Sequence, residues 1–209
     1  MNETTQQVEK DVRETVESGV DIYERVRAIT LKALTERTLD IENIKEVMEA
    51  VLKGMSDGIS PHYDPAKRAF KQTAEALDDT LSKTAEASKL AIEEAASSLD
   101  EFSDHDFKQA TADLKSLEGL FLETIETVGR HSNEVAAKIA RDFLEHTREN
   151  GTAVGRQSRI MLESLDNLRL SGQQAVMAGA AATASALAKI ARGFLAGIAE
   201  SLDSEKSQK

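Results

Sequence analysis

From Ala66 to Lys209 the chain contains no proline, and along that whole stretch apolar residues recur every eleven positions. Phe70, Leu81 and Ile92 form one row, Ala74, Ala85 and Ala96 a second, and Leu77, Ser88 and Leu99 a third. Further on come Ala110, Phe121, Ser132 and Phe143, then Leu114, Ile125 and Ala136, then Leu117, Val128 and Ile139. The last segment has Val154, Leu165, Val176, Leu187 and Ile198, beside Met161, Gly172, Thr183 and Phe194. Eleven residues over three turns is about 3.67 per turn, close to the relaxed helix, so each apolar stripe runs nearly straight and demands no left-handed supercoil. Helices of this kind pack side by side as rods or lie flat on an apolar surface.

Composition agrees with helix throughout. The two prolines, Pro61 and Pro65, fall in one loop, and Trp is absent. Ala, Leu, Glu and Lys dominate, all good helix formers. A first helix is predicted from about Thr4 to Arg37, burying Val12, Tyr23, Val26 and Leu34. Thr38 or Asp40 caps a second, carrying Ile41, Ile44, Val47, Met48, Val51, Leu52 and Met55 at three- and four-residue intervals. Gly54, Gly58 and SPHYDP close it, and Asp64-Pro65 starts the third helix, which runs to about Phe102. The segment SDHD, residues 103–106, caps a fourth helix reaching about Glu149; Asn150-Gly151 ends it, and Thr152 caps a fifth that extends to about Asp203. The three long helices would each measure roughly 55 to 75 Å. The expectation is therefore all-α: an elongated antiparallel bundle of three long amphipathic helices over 64–203, continuous with an N-terminal helical pair over 1–60, and a frayed tail at 204–209.

Charge and residue inventory exclude several functions. The net charge of −11 argues against a nucleic-acid binder. Residues 152–209 carry seven basic and five acidic side chains, so the last helix is mildly cationic while residues 1–151 carry −13. Without cysteine there is no thiolate or Cys-based metal chemistry. The polar start MNETTQQVEKDVRE has neither the basic nor the apolar region of a secretory signal, so the expected location is the cytoplasm, with any association with granules or membranes peripheral.

Candidate chemistry is sparse. His62 and His105 fall in predicted loops; Asp142 with His146, and His131 with Glu134, read as surface pairs on the fourth helix. A di-iron bundle needs Glu-x-x-His on two helices, and the sequence offers only the reverse order once. GTAVGR, residues 151–156, lacks the strand, third glycine and Lys-Ser/Thr of a phosphate loop. No serine sits in a nucleophile elbow. The sequence thus yields no catalytic, cofactor-binding or metal-ligating residue, and the expectation is a protein that is not an enzyme.

The segment from Ala175 to Ala199 has only Lys189 and Arg192 as charges. A membrane span would place both inside the bilayer at roughly 2.5 to 3.5 kcal/mol each, which near-neutral alanine does not offset. Instead Ser185, Lys189, Arg192 and Glu200 gather on one side, while the apolar contact stripe comprises Val154, Leu165, Val176, Leu187, Ile190, Phe194 and Ile198. Between them runs a seam of small residues, Gly172, Gly179, Ala186, Gly193 and Gly197, expected to let another helix approach closely.

Four stretches carry a family resemblance: ITLKALTER (29–37), KTAEASKLAIEEA (83–95), DLKSLEGLFLET (113–124) and GTAVGRQ (151–157). On these the chain resembles an uncharacterised family of bacterial helical proteins, which implies a helical fold and no assigned activity. Its Ala-rich amphipathic helices are more loosely similar to phasins, which coat polyester granules, and to apolipoprotein-like proteins, which coat lipid. The expected function is a non-enzymatic binding protein whose amphipathic helices contact a storage granule, a lipid surface or partner helices, its own copies in a homo-oligomer included. The alternatives are a purely structural or self-associating scaffold and, below it, a membrane-inserting helical protein.

Overall fold

A computed structural model of the chain describes residues 3–98, 104–172, 191–193 and 195–196. Among these residues the protein is all-α and has no strand. The helices are α1 (Glu3–Ser18), α2 (Ile22–Thr35), α3 (Ile41–Gly58), α4 (Tyr63–Ser98), α5 (Asp104–His131), α6 (Glu134–Asn150) and α7 (Ala153–Gly172). Residues 191–193 and 195–196 are helical too, with Ala191 and Leu195 buried and Arg192 exposed.

Two of the predicted helices break. The first divides at Gly19 and Asp21, which both adopt positive φ (68° and 49°). Gly19 closes α1 as a left-handed C-cap, its N–H donating to Thr15 O and Val16 O. The predicted fourth helix divides at Ser132-Asn133, where the Asn133 side chain accepts from Ala136 N (3.0 Å) and starts α6. Phe121 and Phe143 show what this break does. On one straight helix they would stand about 33 Å apart; their ring centroids lie 6.4 Å apart, edge to face. Helices α5 and α6 thus fold back on one another, with Gly129 giving the room: a Cβ there would lie 2.7 Å from that of Ala140. Phe70 of α4 completes the aromatic cluster, 5.6 Å from Phe143.

Other boundaries follow the sequence closely. Asp40 caps α3 by accepting from Asn43 N at 2.8 Å. Helix α4 begins one residue before the expected Asp64-Pro65 start, since Ala66 N already donates to His62 O. Gly151, at φ 71°, ends α6 with its N–H on Thr147 O (2.7 Å), and Gly155 N donates to Thr152 Oγ1 (2.8 Å) as α7 starts.

Helix α4 sits in the middle, packed against α2, α3, α5, α6 and α7. A helix with neighbours on so many sides must be slim, and α4 buries Ala66, Ala69, Ala74, Ala76, Ala85, Ala87 and Ala91 around the larger Phe70, Leu77, Leu81 and Ile92. Its buried Thr80 and Thr84 hydroxyls donate to the carbonyls four residues back, at 2.8 and 2.9 Å, so they add no unpaired polar group. Among the described residues no helix is long and apolar enough to cross a membrane.

Helices α1 and α3 approach closely. A Cβ on Gly54 would lie 2.3 Å from the Glu9 carbonyl oxygen, and one on Gly58 would lie 2.7 Å from that of Arg13. Lys53 pairs with Glu9 beside this contact. Gly54-x-x-x-Gly58, expected to end a helix, instead lets two backbones meet. Gly54→Ala is therefore expected to lower stability by about 1–3 kcal/mol through overpacking. Gly119→Ala, on an exposed part of α5 where a Cβ meets nothing within 4 Å, is expected to raise it by roughly 0.5–1 kcal/mol. Urea midpoints of the two variants provide the check.

Candidate functional site

Two carboxylates interrupt the apolar rows. Asp78 lies four residues after Ala74 and three before Leu81, and Glu118 four after Leu114 and three before Phe121; all four flanking residues are buried. That spacing puts each acid on the inner face of its helix. The acids converge on the first turn of α7. Asp78 Oδ2 accepts from Ala153 N at 2.7 Å and Oδ1 from Val154 N at 2.8 Å. Thr152 Oγ1 donates to Glu118 Oε1 at 2.7 Å while accepting from Gly155 N. The Glu118 carboxylate lies so close to α7 that a Cβ on Gly155 would be 2.0 Å from Oε1. Arg156 Nη1 reaches the carbonyls of Asn150 and Gly151 at 3.4 and 3.5 Å.

The electrostatics of this junction are mixed. Burial pushes the Asp78 carboxyl above the ordinary carboxylate value of 3.8; the Val154 and Ala153 amides and the Arg156 charge pull it down, and Glu118 pushes it up. Free N–H groups at a helix start favour an anion there. Among the described residues, however, neither Asp78 nor Glu118 has a basic nitrogen within ion-pair distance. Chemically the junction is an anchor. The amides that a phosphate loop would offer to a ligand are occupied by the chain's own Asp78, and this accounts for the glycines of GTAVGR: Gly151 turns the chain and Gly155 makes room for Glu118.

The adjacent Asp79 points about 100° away around α4 and holds α2. It accepts from the Tyr23 hydroxyl at 3.3 Å and lies 3.2 Å from Arg27 Nε. Burial first, and then Asp79, push the Tyr23 phenol above its ordinary range. The histidines take local roles. His131 Nδ1 lies 2.7 Å from Thr127 O, and the His146 ring faces Asn150 Nδ2 at 3.2 Å. Asp142 accepts from Tyr63 (3.2 Å), so it serves α4 and not His146. No group of three or more His, Asp or Glu able to hold a metal occurs among the described residues.

Of the contact stripe, Val154, in the first turn of α7, and Leu165, further along it, are fully buried. Val176, Leu187, Ile190, Phe194 and Ile198 lie outside the described residues, as do Gly179, Ala186 and Gly197 of the small-residue seam. Gly172 is the last residue of α7. Gly193 is exposed, and a Cβ there meets no described atom within 4 Å. Asp78 and Glu118 were absent from the sequence-based candidates; their signal was a carboxylate at i+4 and i−3 within an apolar row.

These features define an all-α protein whose slim central helix is tied to its neighbours by carboxylates. The chain belongs to the family described as "Family of unknown function (DUF6781)", whose model matches residues 1–204. No curated protein and no solved structure matches it.

Two outcomes test the junction. Gly155→Ala should destabilise the protein by displacing Glu118, and the cost should shrink in a Glu118→Ala background, giving a coupling of about 0.5–2 kcal/mol in a double-mutant cycle. The raised Asp78 carboxyl means that the folded state binds this proton more readily than the unfolded chain. Its contribution to stability therefore grows as pH falls through the native pKa towards 3.8 and is lost as pH rises. Urea denaturation between about pH 4 and 7 should show wild type gaining on Asp78→Asn as pH falls.

Proposed function

We propose that the protein is a non-enzymatic helical binding protein, with α7 and the sequence that follows it as the part that meets a hydrophobic surface (a storage granule or lipid) or a partner helix. The observation that supports this reading is Ile160. It is 57% exposed on α7 beside half-buried Met161 and Leu162, and the other exposed large hydrophobic among the described residues, Val20, lies in a turn between helices. An apolar side chain displayed on a helix suits a contact with an apolar surface or a partner helix. The mildly cationic character of residues 152–209, against −13 for the rest, adds attraction to an anionic surface.

A second reading, a structural or self-associating bundle, draws support from Val154 and Leu165, which are spent in the core. Flotation with neutral lipid emulsions and sedimentation with polyester particles separate the two. The binding reading expects association at low salt, weakened roughly tenfold by Ile160→Ser, about the loss of one apolar side chain, at an unchanged melting temperature. No association at low salt, together with a monodisperse species that leaves hydrophobic dye dark, would favour the structural bundle and sink the first reading.

A further inference from the structure

Helix α7 is held by two kinds of contact. One is local: Thr152 caps the helix by accepting from Gly155 N, and this bond travels with α7 wherever it goes. The other is tertiary: Asp78 of α4 takes the Ala153 and Val154 amides, and Glu118 of α5 takes the Thr152 hydroxyl. Losing the tertiary contacts leaves a capped helix behind. Just before it stands Gly151, at φ 71° and exposed, a residue that can change backbone angles without a side-chain penalty.

The docked interface also carries polar costs. Asp78 and Glu118 bring two acids to one partly buried place without an ion-paired base among the described residues. Burial disfavours the charged form of Asp78, so undocking returns solvation to it. Ser158 Oγ, on the same helix, is buried and has no hydrogen-bond partner among the described residues. The α1–α3 contact has a buried unpartnered oxygen too, Glu9 Oε2, but it is clamped by a backbone-to-backbone approach through Gly54 and Gly58 with the Lys53–Glu9 pair alongside.

We propose that α7 is a hinged, detachable helix, which leaves α4 and α5 as an intact amphipathic rod turning about Gly151 when Asp78 and Glu118 release its first turn, and thereby presents Val154 and Leu165. The value of such opening to the protein rests on the binding reading above; the opening itself does not. Docked, α7 keeps part of its apolar row in the core, and undocked it offers that row to a surface.

Native-state hydrogen exchange on the full chain tests this, comparing amides of 156–165 with those of 77–92. The expected result is protection in α7 about tenfold or more below that in α4, the mark of a sub-global opening. Asp78→Ala should lower α7 protection about tenfold further while α1 and α3 stay within about twofold of wild type. Equal protection in α7 and α4, or a uniform fall in every helix of the variant, would overturn the proposal. Should Asp78→Ala not fold, Glu118→Gln, which keeps an acceptor for Thr152 and removes the charge, is compared in the same way; opening is then expected to become rarer in α7 alone, and no change there counts against the junction as the latch. Emulsion flotation run in parallel separates the two ideas. Opening without flotation overturns the binding reading and leaves the hinge standing, and flotation without opening does the reverse.

Discussion

Everything in this fold has to accommodate one helix with neighbours on nearly every side. Helix α4 meets α2, α3, α5, α6 and α7, and a core helix in that position has little room for side-chain bulk. The alanines of α4 are the response, and Thr80 and Thr84, bonded back to the carbonyls four residues earlier, supply intermediate volume without stranding their hydroxyls. Three of the chain's six phenylalanines, Phe70, Phe121 and Phe143, come together where α4, α5 and α6 meet.

A slim central helix provides many contacts and little specificity, because alanine faces slide and rotate past one another at small cost. Polar anchors in its middle fix the arrangement. Asp78 takes the start of α7 and Asp79 the phenol and guanidinium of α2, so two consecutive side chains set the rotation of α4 relative to two different neighbours. A carboxylate that accepts two amides tolerates little displacement along or around the helix. The burial cost at Asp78 is what such orientation requires.

The all-helical class, the Asp40 cap and the Gly151-Thr152 turn were legible from residue type and spacing, since each depends on a local preference. The breaks at Gly19 and Ser132-Asn133 were not, because the apolar spacing runs straight through them. Phe121, Ser132 and Phe143 are eleven apart and read equally well as a row on one rod; with the turn at Ser132, the two phenylalanines are equidistant from it and face each other across a hairpin. Periodicity tells which side chains share a face and is silent on whether the helix continues. The junction acids failed to register for a related reason: an acid within an apolar row finds its partner on another helix, and a single sequence does not name that helix. Gly54-x-x-x-Gly58 was read as an ending because glycine more often stops a helix than joins two.

The two tyrosines have a practical consequence for anyone following this protein in solution. The chain has no tryptophan, so its near-ultraviolet signal comes mainly from Tyr23 and Tyr63. Each phenol donates to an aspartate on another helix, Tyr23 to Asp79 across α2 and α4, and Tyr63 to Asp142 across α4 and α6. Intrinsic fluorescence therefore reports on those two joints, and neither tyrosine lies on α7. A transition recorded by tyrosine emission measures the body of the protein, and a probe attached to α7 is needed before the whole molecule can be said to melt as one.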